Sequence, residues 1–87
     1  MDVSLSTDQR TRIHEVIGSR RDFPRLGRVD FDVRPGIVIP RSTRLVAVPS
    51  DIVRIYPRFR GYRMILIGDE IVFVDPATFR IIAVIPA

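Results

Sequence analysis

One stretch of the sequence concentrates groups that can bind anions. Four arginines and three aromatic residues interleave in this stretch without an acidic residue, and they are Arg54, Tyr56, Arg58, Phe59, Arg60, Tyr62 and Arg63. Interleaved guanidinium and aromatic groups can grip phosphates and stack on bases, and they suit anionic glycans, lipid headgroups or acidic proteins equally well. The alternative is that the aromatic residues pack the edge of a sheet while the arginines stay in solvent.

Metal-binding chemistry has little to start from. His14 is the one histidine, and Glu15 beside it is poorly placed to share an ion, because neighbours on a helix point about 100° apart. Asp30 and Asp32 could share a weak site for a hard cation, although ordinary solvation explains them as well. The chain has no cysteine. We therefore predict no metal site and no cofactor.

Catalytic groups are also scarce. Asp69, Glu70 and Asp75 are carboxylates that could run acid–base chemistry, but all three lie at predicted hairpin ends, where aspartate suits turn geometry. The sequence contains neither a nucleophile motif nor a glycine-rich phosphate loop. We therefore expect a protein that is not an enzyme.

The composition indicates one small domain with a modest positive charge. All 14 basic residues are arginine, and the net charge is +4 over 87 residues. A coding bias can explain the arginines, and so can selection for bidentate contacts with anions. Because acidic residues are interspersed along most of the chain, a nucleic-acid partner is disfavoured although it stays open. No apolar run approaches the roughly 18 residues of a transmembrane helix.

The first half of the chain predicts a helix and short strands. Ser6 and Gln9 have the spacing of a capping box, which starts a helix over about residues 7–20. Alternating or short apolar runs then predict strands at about 29–33, 37–39 and 44–48, and the prolines between them keep these pieces short. Ser50 and Asp51 begin a short helix over about 51–56.

The last third of the chain predicts a three-stranded meander, with strands at about 62–67, 71–75 and 80–85. A two-residue turn at Gly68 and Asp69 would set Leu66 opposite Ile71. One face then carries Met64, Leu66, Ile71 and Phe73, and the other carries Ile65, Ile67, Val72 and Val74. An antiparallel sheet usually leaves one face wet, but here both faces are apolar.

Both faces of the meander therefore need cover. The first helix can cover one face, and the second needs either other segments of the chain, or a second copy or protein partner. Ile65, Ile67, Val72 and Val74 are thus candidates for core or interface. The order of elements predicts a single α+β domain over residues 1–87, with two helices packed on a small antiparallel sheet.

Several motifs resemble the domain-of-unknown-function 1236 family. Leu5–Ile13 looks like its L-[ST]-x-[ED]-Q-R-x-x-I opening, and Val38–Arg41 looks like its central V-[VI]-P-R element. Its C-terminal signature resembles Tyr56-Pro57, Arg60–Tyr62, Asp69–Val72, Val74–Pro76 and Arg80–Ile85. The C-terminal hairpins also resemble those of RcnB-type periplasmic proteins, which are linked to nickel and cobalt homeostasis.

The resemblance implies a small bacterial protein that is periplasmic or secreted. The first residues, however, do not look like an export signal, so a cytoplasmic location stays open. We expect a non-enzymatic envelope module that self-associates or binds a protein partner through its apolar sheet. The alternative is an anion-binding module that uses residues 54–63 to hold nucleic acid or an acidic envelope polymer.

Overall fold

The structure, a computed structural model, describes residues 3–20 and 22–86 and has the expected α+β architecture. Two helices pack with a five-stranded sheet, in the order α1 (Thr7–Gly18), β1 (Arg25–Leu26), β2 (Val46–Ala47), α2 (Ser50–Ile55), a 3-10 turn (Pro57–Phe59), β3 (Arg63–Ile67), β4 (Glu70–Asp75) and β5 (Arg80–Pro86). The sheet is mostly antiparallel, but the parallel strand β1 makes it mixed.

Helix α1 begins with the predicted capping box. The Gln9 backbone N–H donates to Ser6 Oγ at 3.1 Å, and the Ser6 backbone N–H donates to Gln9 Oε1 at 2.9 Å. The helix ends at Gly18, slightly earlier than predicted, and buries Ile13. Gln9 Nε2 also donates to the Ile55 carbonyl at 3.2 Å. This contact fixes α1 against α2.

The meander has the predicted register. Ile67 pairs with Glu70, Leu66 with Ile71 and Met64 with Phe73. Gly68 has φ of 57°, whereas Asp69 is not among the described residues with positive φ. That combination fits a type II′ turn, which requires positive φ at its first central residue.

Two glycine substitutions are expected to change stability in opposite directions. Gly68→Ala forces a side chain into the left-handed region, so we expect it to lower the free energy of unfolding by about 1–2 kcal/mol. At Gly18, the last residue of α1, an added Cβ meets nothing within 4 Å. Gly18→Ala should therefore raise the free energy of unfolding by about 0.4–1 kcal/mol, because alanine restricts the unfolded chain. Urea denaturation of both variants checks the contrast, and a destabilised Gly18→Ala would contradict it.

A bulge interrupts β5 and changes which side chains share a face. Phe73 pairs with Ala83 and Val74 pairs with Ile81, which leaves Ile82 as the extra residue. An extra residue shifts the inside–outside alternation of a strand by one position. Ala83 therefore packs in the same cluster as Phe73, while Ile81 packs in the same cluster as Val74.

The strands predicted between residues 29 and 48 are mostly wrong. Residues 29–33 form no strand, 37–39 make a single bridge from Val38 to Arg80, and 44–48 shorten to β2. The sequence pattern also did not predict β1. The outer edge of β3 is shared by β1 and β2, and residues 36–39 bond Phe79 and Ile81 at the start of β5. Residues 29–33 instead pack on the face of the sheet, where a segment makes no strand pairing.

The two faces of the sheet carry separate cores. The first face, with Phe73 at its centre, packs against the two helices and the 3-10 turn through Ile13, Ile52 and Phe59. The second face is covered by residues 26–45, here named the covering segment. Its buried or half-buried apolar side chains are Leu26, Val29, Phe31, Val33, Ile37, Ile39 and Leu45. The chain's own segments thus cover both faces.

Candidate functional site

The aromatic residues of segment 54–63 belong mainly to the core. The Phe59 ring is fully buried and stacks on Phe73, with centroids 4.0 Å apart and an angle of 10° between the planes. Tyr56 is buried too, and its ring centroid lies 4.8 Å from that of Phe59. Tyr62 is half-buried. Two of the three aromatic rings are therefore unavailable for stacking on a base.

The arginines of the same segment point into solvent. Arg54, Arg58, Arg60 and Arg63 are all exposed. The ion pairs found in the described part of the chain join Arg12 to Asp8, Arg20 to Asp51 and Arg34 to Asp32, and these four arginines take part in none of them. Their backbone is held in place by the buried aromatic residues between them. The segment thus presents guanidinium groups on a fixed support.

Two of these arginines line one concave site, here named the arginine groove. Arg54 comes from the last turn of α2, and Arg60 follows the 3-10 turn. The groove has a volume of about 390 Å³ and is otherwise lined by Val48, Ser50, Val53, Pro57 and Gly61. An apolar lining with two cationic groups can accept the apolar and anionic parts of one ligand.

The remaining two arginines lie outside the arginine groove. Arg63 begins β3 and lines a different recess of about 300 Å³, together with Thr43, Leu45, Pro76 and Phe79. Arg58 is the middle residue of the 3-10 turn. The structure therefore divides the predicted site: it brings Arg54 and Arg60 together and places Arg63 elsewhere.

The proposed interface residues are buried within a single copy of the chain. Ile65, Ile67, Val72 and Val74 are each at most 4% exposed, and they pack under the covering segment. A partner could contact them only if that segment moved away. The second face of the sheet is thus a core in this structure. The surface available to a partner on this side is the outer surface of the covering segment.

Of the candidate metal and acid–base residues, the structure brings His14, Asp69 and Glu70 to one small recess of about 100 Å³. Within residues 3–20 and 22–86, no three histidine or acidic side chains are grouped closely enough to hold a metal ion. Asp32 lies 3.5 Å from Arg34, and Asp75 Oδ1 accepts a hydrogen bond from the Ala77 backbone N–H at 2.9 Å. Asp75 thus has the turn role expected of it.

None of the helices in the described part of the chain is long and apolar enough to cross a membrane.

A larger concave site, here named the edge groove, was missed by sequence reasoning. It is lined by residues within 24–31 and 40–44 and by Ile65, and its volume is about 830 Å³. Three exposed arginines line it, namely Arg25, Arg28 and Arg44. No local pattern marks these residues, because they meet only through the path that the covering segment takes across the sheet.

Comparison with known proteins gives one match. A family model described as "Domain of unknown function (DUF1236)" matches residues 19–86, which is most of the chain. The matched range contains the central and C-terminal motifs and leaves out the motif at 5–13. No curated protein and no solved structure shows significant similarity to the chain. The likeness to RcnB-type proteins is therefore not confirmed.

Proposed function

This chain belongs to the DUF1236 family of domains of unknown function, so we infer its role from its own surface. We propose that it is a non-enzymatic module that binds an acidic polymer through the arginine groove. The observation that carries the proposal is the placement of Arg54 and Arg60 on one groove with no acidic residue in its lining. Guanidinium groups match carboxylate, sulfate and phosphate groups in a bidentate manner.

The support of the two arginines favours recognition of a polymer by charge. Buried Tyr56 and Phe59 keep the backbone of segment 54–63 in place, so little backbone ordering is needed on binding. Arg58 lies between the two groove arginines along the chain and is exposed. A ligand with several anionic groups can use this additional charge, whereas a single small anion has fewer groups to pair.

The polymer proposed is an acidic polysaccharide rather than nucleic acid. Non-specific binding of single strands relies on aromatic platforms for successive bases, with each stacked base contributing about 1–3 kcal/mol. With Tyr56 and Phe59 in the core, segment 54–63 has lost most of that platform. Groups that need only charge and shape, such as uronates and sulfated sugars, suit the groove better. Placement in the bacterial envelope, which the family resemblance implies, is part of this proposal.

Self-association through the sheet has weaker support. The four side chains proposed for that contact are buried under the covering segment, so an interface there would have to displace the cover. Large apolar surfaces mark interaction sites when they are exposed. Val38, which is 54% exposed, is a single residue and does not form such a patch.

The proposal is tested by polyanion binding with and without the groove arginines. We expect the double variant Arg54→Gln/Arg60→Gln to bind heparin and polygalacturonate about tenfold or more weakly, since each lost charged hydrogen bond costs roughly 1.5–3 kcal/mol before solvent competition. Affinity should be measured by calorimetry over a range of salt concentrations. The affinity of the variant should depend less steeply on salt concentration than that of the wild type, because binding displaces fewer counterions.

A matched control removes the same charge elsewhere. Arg10 and Arg12 lie on α1 and are exposed. The variant Arg10→Gln/Arg12→Gln replaces two arginines, so it has the same net charge as the groove variant. We expect the control to retain most of the wild-type affinity. Equal losses in both variants would show that only net charge matters and would refute the groove. Tighter binding of a single-stranded oligonucleotide than of heparin at equal salt would favour the nucleic-acid alternative.

A further inference from the structure

The edge groove carries a second inference, independent of the acidic polymer. We propose that it binds a small amphipathic organic anion, with one carboxylate, sulfonate or phosphate group on an apolar body. At about 830 Å³ the groove is in the size range of ligand sites, which is roughly 300–1,000 Å³. It lies where the covering segment departs from β1 and returns to β2.

The lining of the edge groove accounts for the apolar half of the ligand. Leu26, Val29 and Phe31 come from the outgoing part of the covering segment, and all three are half-buried. Pro40 comes from the returning part, and Ile65 of β3 belongs to the buried core below. Leu26, Val29 and Phe31 contact the second core on one side and leave apolar surface toward the groove. An apolar ligand would continue the core outward.

The charges of the lining account for the anionic head. Arg25, Arg28 and Arg44 are exposed, and Asp30 is the one carboxylate among the lining residues. Neither these arginines nor Asp30 belong to the ion pairs found in residues 3–20 and 22–86. The groove therefore has an excess of two positive charges beside an apolar surface, which selects against cationic and zwitterionic ligands of similar shape.

A ligand of this kind differs from the polymer proposed above. The arginine groove is smaller and lies by α2 and the 3-10 turn, and it shares no lining residue with the edge groove. A long polyanion without an apolar part would leave the apolar lining of the edge groove exposed to water. Ser42 and Thr43 add hydroxyl groups at the returning side, where they can donate to an anionic head.

The test uses decanoate as the probe, titrated into the isotope-labelled chain and followed by backbone amide shifts. We expect saturable shifts confined to residues 24–31, 40–44 and the neighbouring part of β3. Decyltrimethylammonium, which has the same tail and the opposite charge, and acetate, which has the head alone, should each bind at least about tenfold more weakly. Equal binding of the cationic amphiphile would overturn the charge selection and with it the proposal.

Variants locate the site. Arg28→Gln/Arg44→Gln should weaken decanoate binding at least about tenfold, and Ser42→Trp should weaken it by filling the groove. Both changes are at exposed positions, so thermal unfolding should show the fold retained. Arg54→Gln/Arg60→Gln should bind decanoate within about twofold of the wild type, which keeps this test separate from that of the polymer. Unchanged binding in both edge-groove variants, or shifts that map elsewhere, would refute the proposal.

Discussion

Phe73→Ala is expected to lower the free energy of unfolding by about 3–5 kcal/mol, the range for truncation of a buried aromatic side chain. Phe73 is fully buried in β4, a strand that is paired on both sides within the meander. Its ring stacks on Phe59 at 4.0 Å, so truncation removes the contact that joins the sheet to the 3-10 turn. Small domains are stable by about 5–15 kcal/mol, so the loss could unfold the protein.

Urea denaturation at 25 °C measures the effect, and Phe73→Leu serves if the alanine variant does not fold. Val38→Ala is the matched control, because Val38 is exposed and surface truncations usually change stability by less than about 0.5 kcal/mol. A double-mutant cycle with Phe59→Ala should give a coupling of at least about 0.5–1.5 kcal/mol. A mild effect of Phe73→Ala would contradict the register of the meander, because it would place that face in solvent.

Ile39→Ala should cost about 2–5 kcal/mol, the range for truncation of a buried isoleucine. Ile39 is the most deeply buried residue of the covering segment, and its side chain packs in the core of the second face. Its backbone N–H also donates to the carbonyl of Phe79, the residue just before β5, at 2.8 Å. Loss of the side chain therefore weakens the packing of the covering segment on the sheet face and leaves the backbone hydrogen bond at the edge as its remaining anchor at this residue.

The Ile39 variant also links the cover to self-association. If the cover loosens, Ile65, Ile67, Val72 and Val74 become accessible, and the variant should associate at concentrations where the wild type does not. Sedimentation velocity compares the two proteins, and Ile37→Ala, at a half-buried position of the same segment, is the milder control. An Ile39 variant of wild-type stability would mean that the cover contributes little to the second core.

Local patterns predicted the parts of the fold that depend on near neighbours. The capping box at Ser6 and the turn at Gly68 are each set by a few adjacent residues, and the pairing of Leu66 with Ile71 follows from the turn. The alternation of apolar and acidic residues at 29–33 correctly indicated which side chains are half-buried, but the segment is not a strand. Val29, Phe31 and Val33 do pack inward while Asp30 and Asp32 are exposed, but as an irregular segment lying on a sheet.

Features that depend on distant parts of the chain could not be predicted. The two residues of β1 show no period, and their parallel pairing with Leu66 and Ile67 depends on where the covering segment starts. The bulge at Ile82 likewise has no local signal. For the candidate site, charge and aromatic content pointed to segment 54–63, yet the separation of Arg63 from Arg54 and Arg60 depends on the three-dimensional path.

The segments that lie along the edges of the meander have a consequence for aggregation. A free strand edge is a template for pairing with another chain. Here β1 and β2 lie along β3, and residues 36–39 lie along the start of β5 between Pro35 and Pro40. Proline cannot donate a backbone hydrogen bond, so this outermost segment can be extended only poorly. The covering segment therefore protects part of a sheet edge as well as a sheet face, and its loss would expose an apolar face and a strand edge at once.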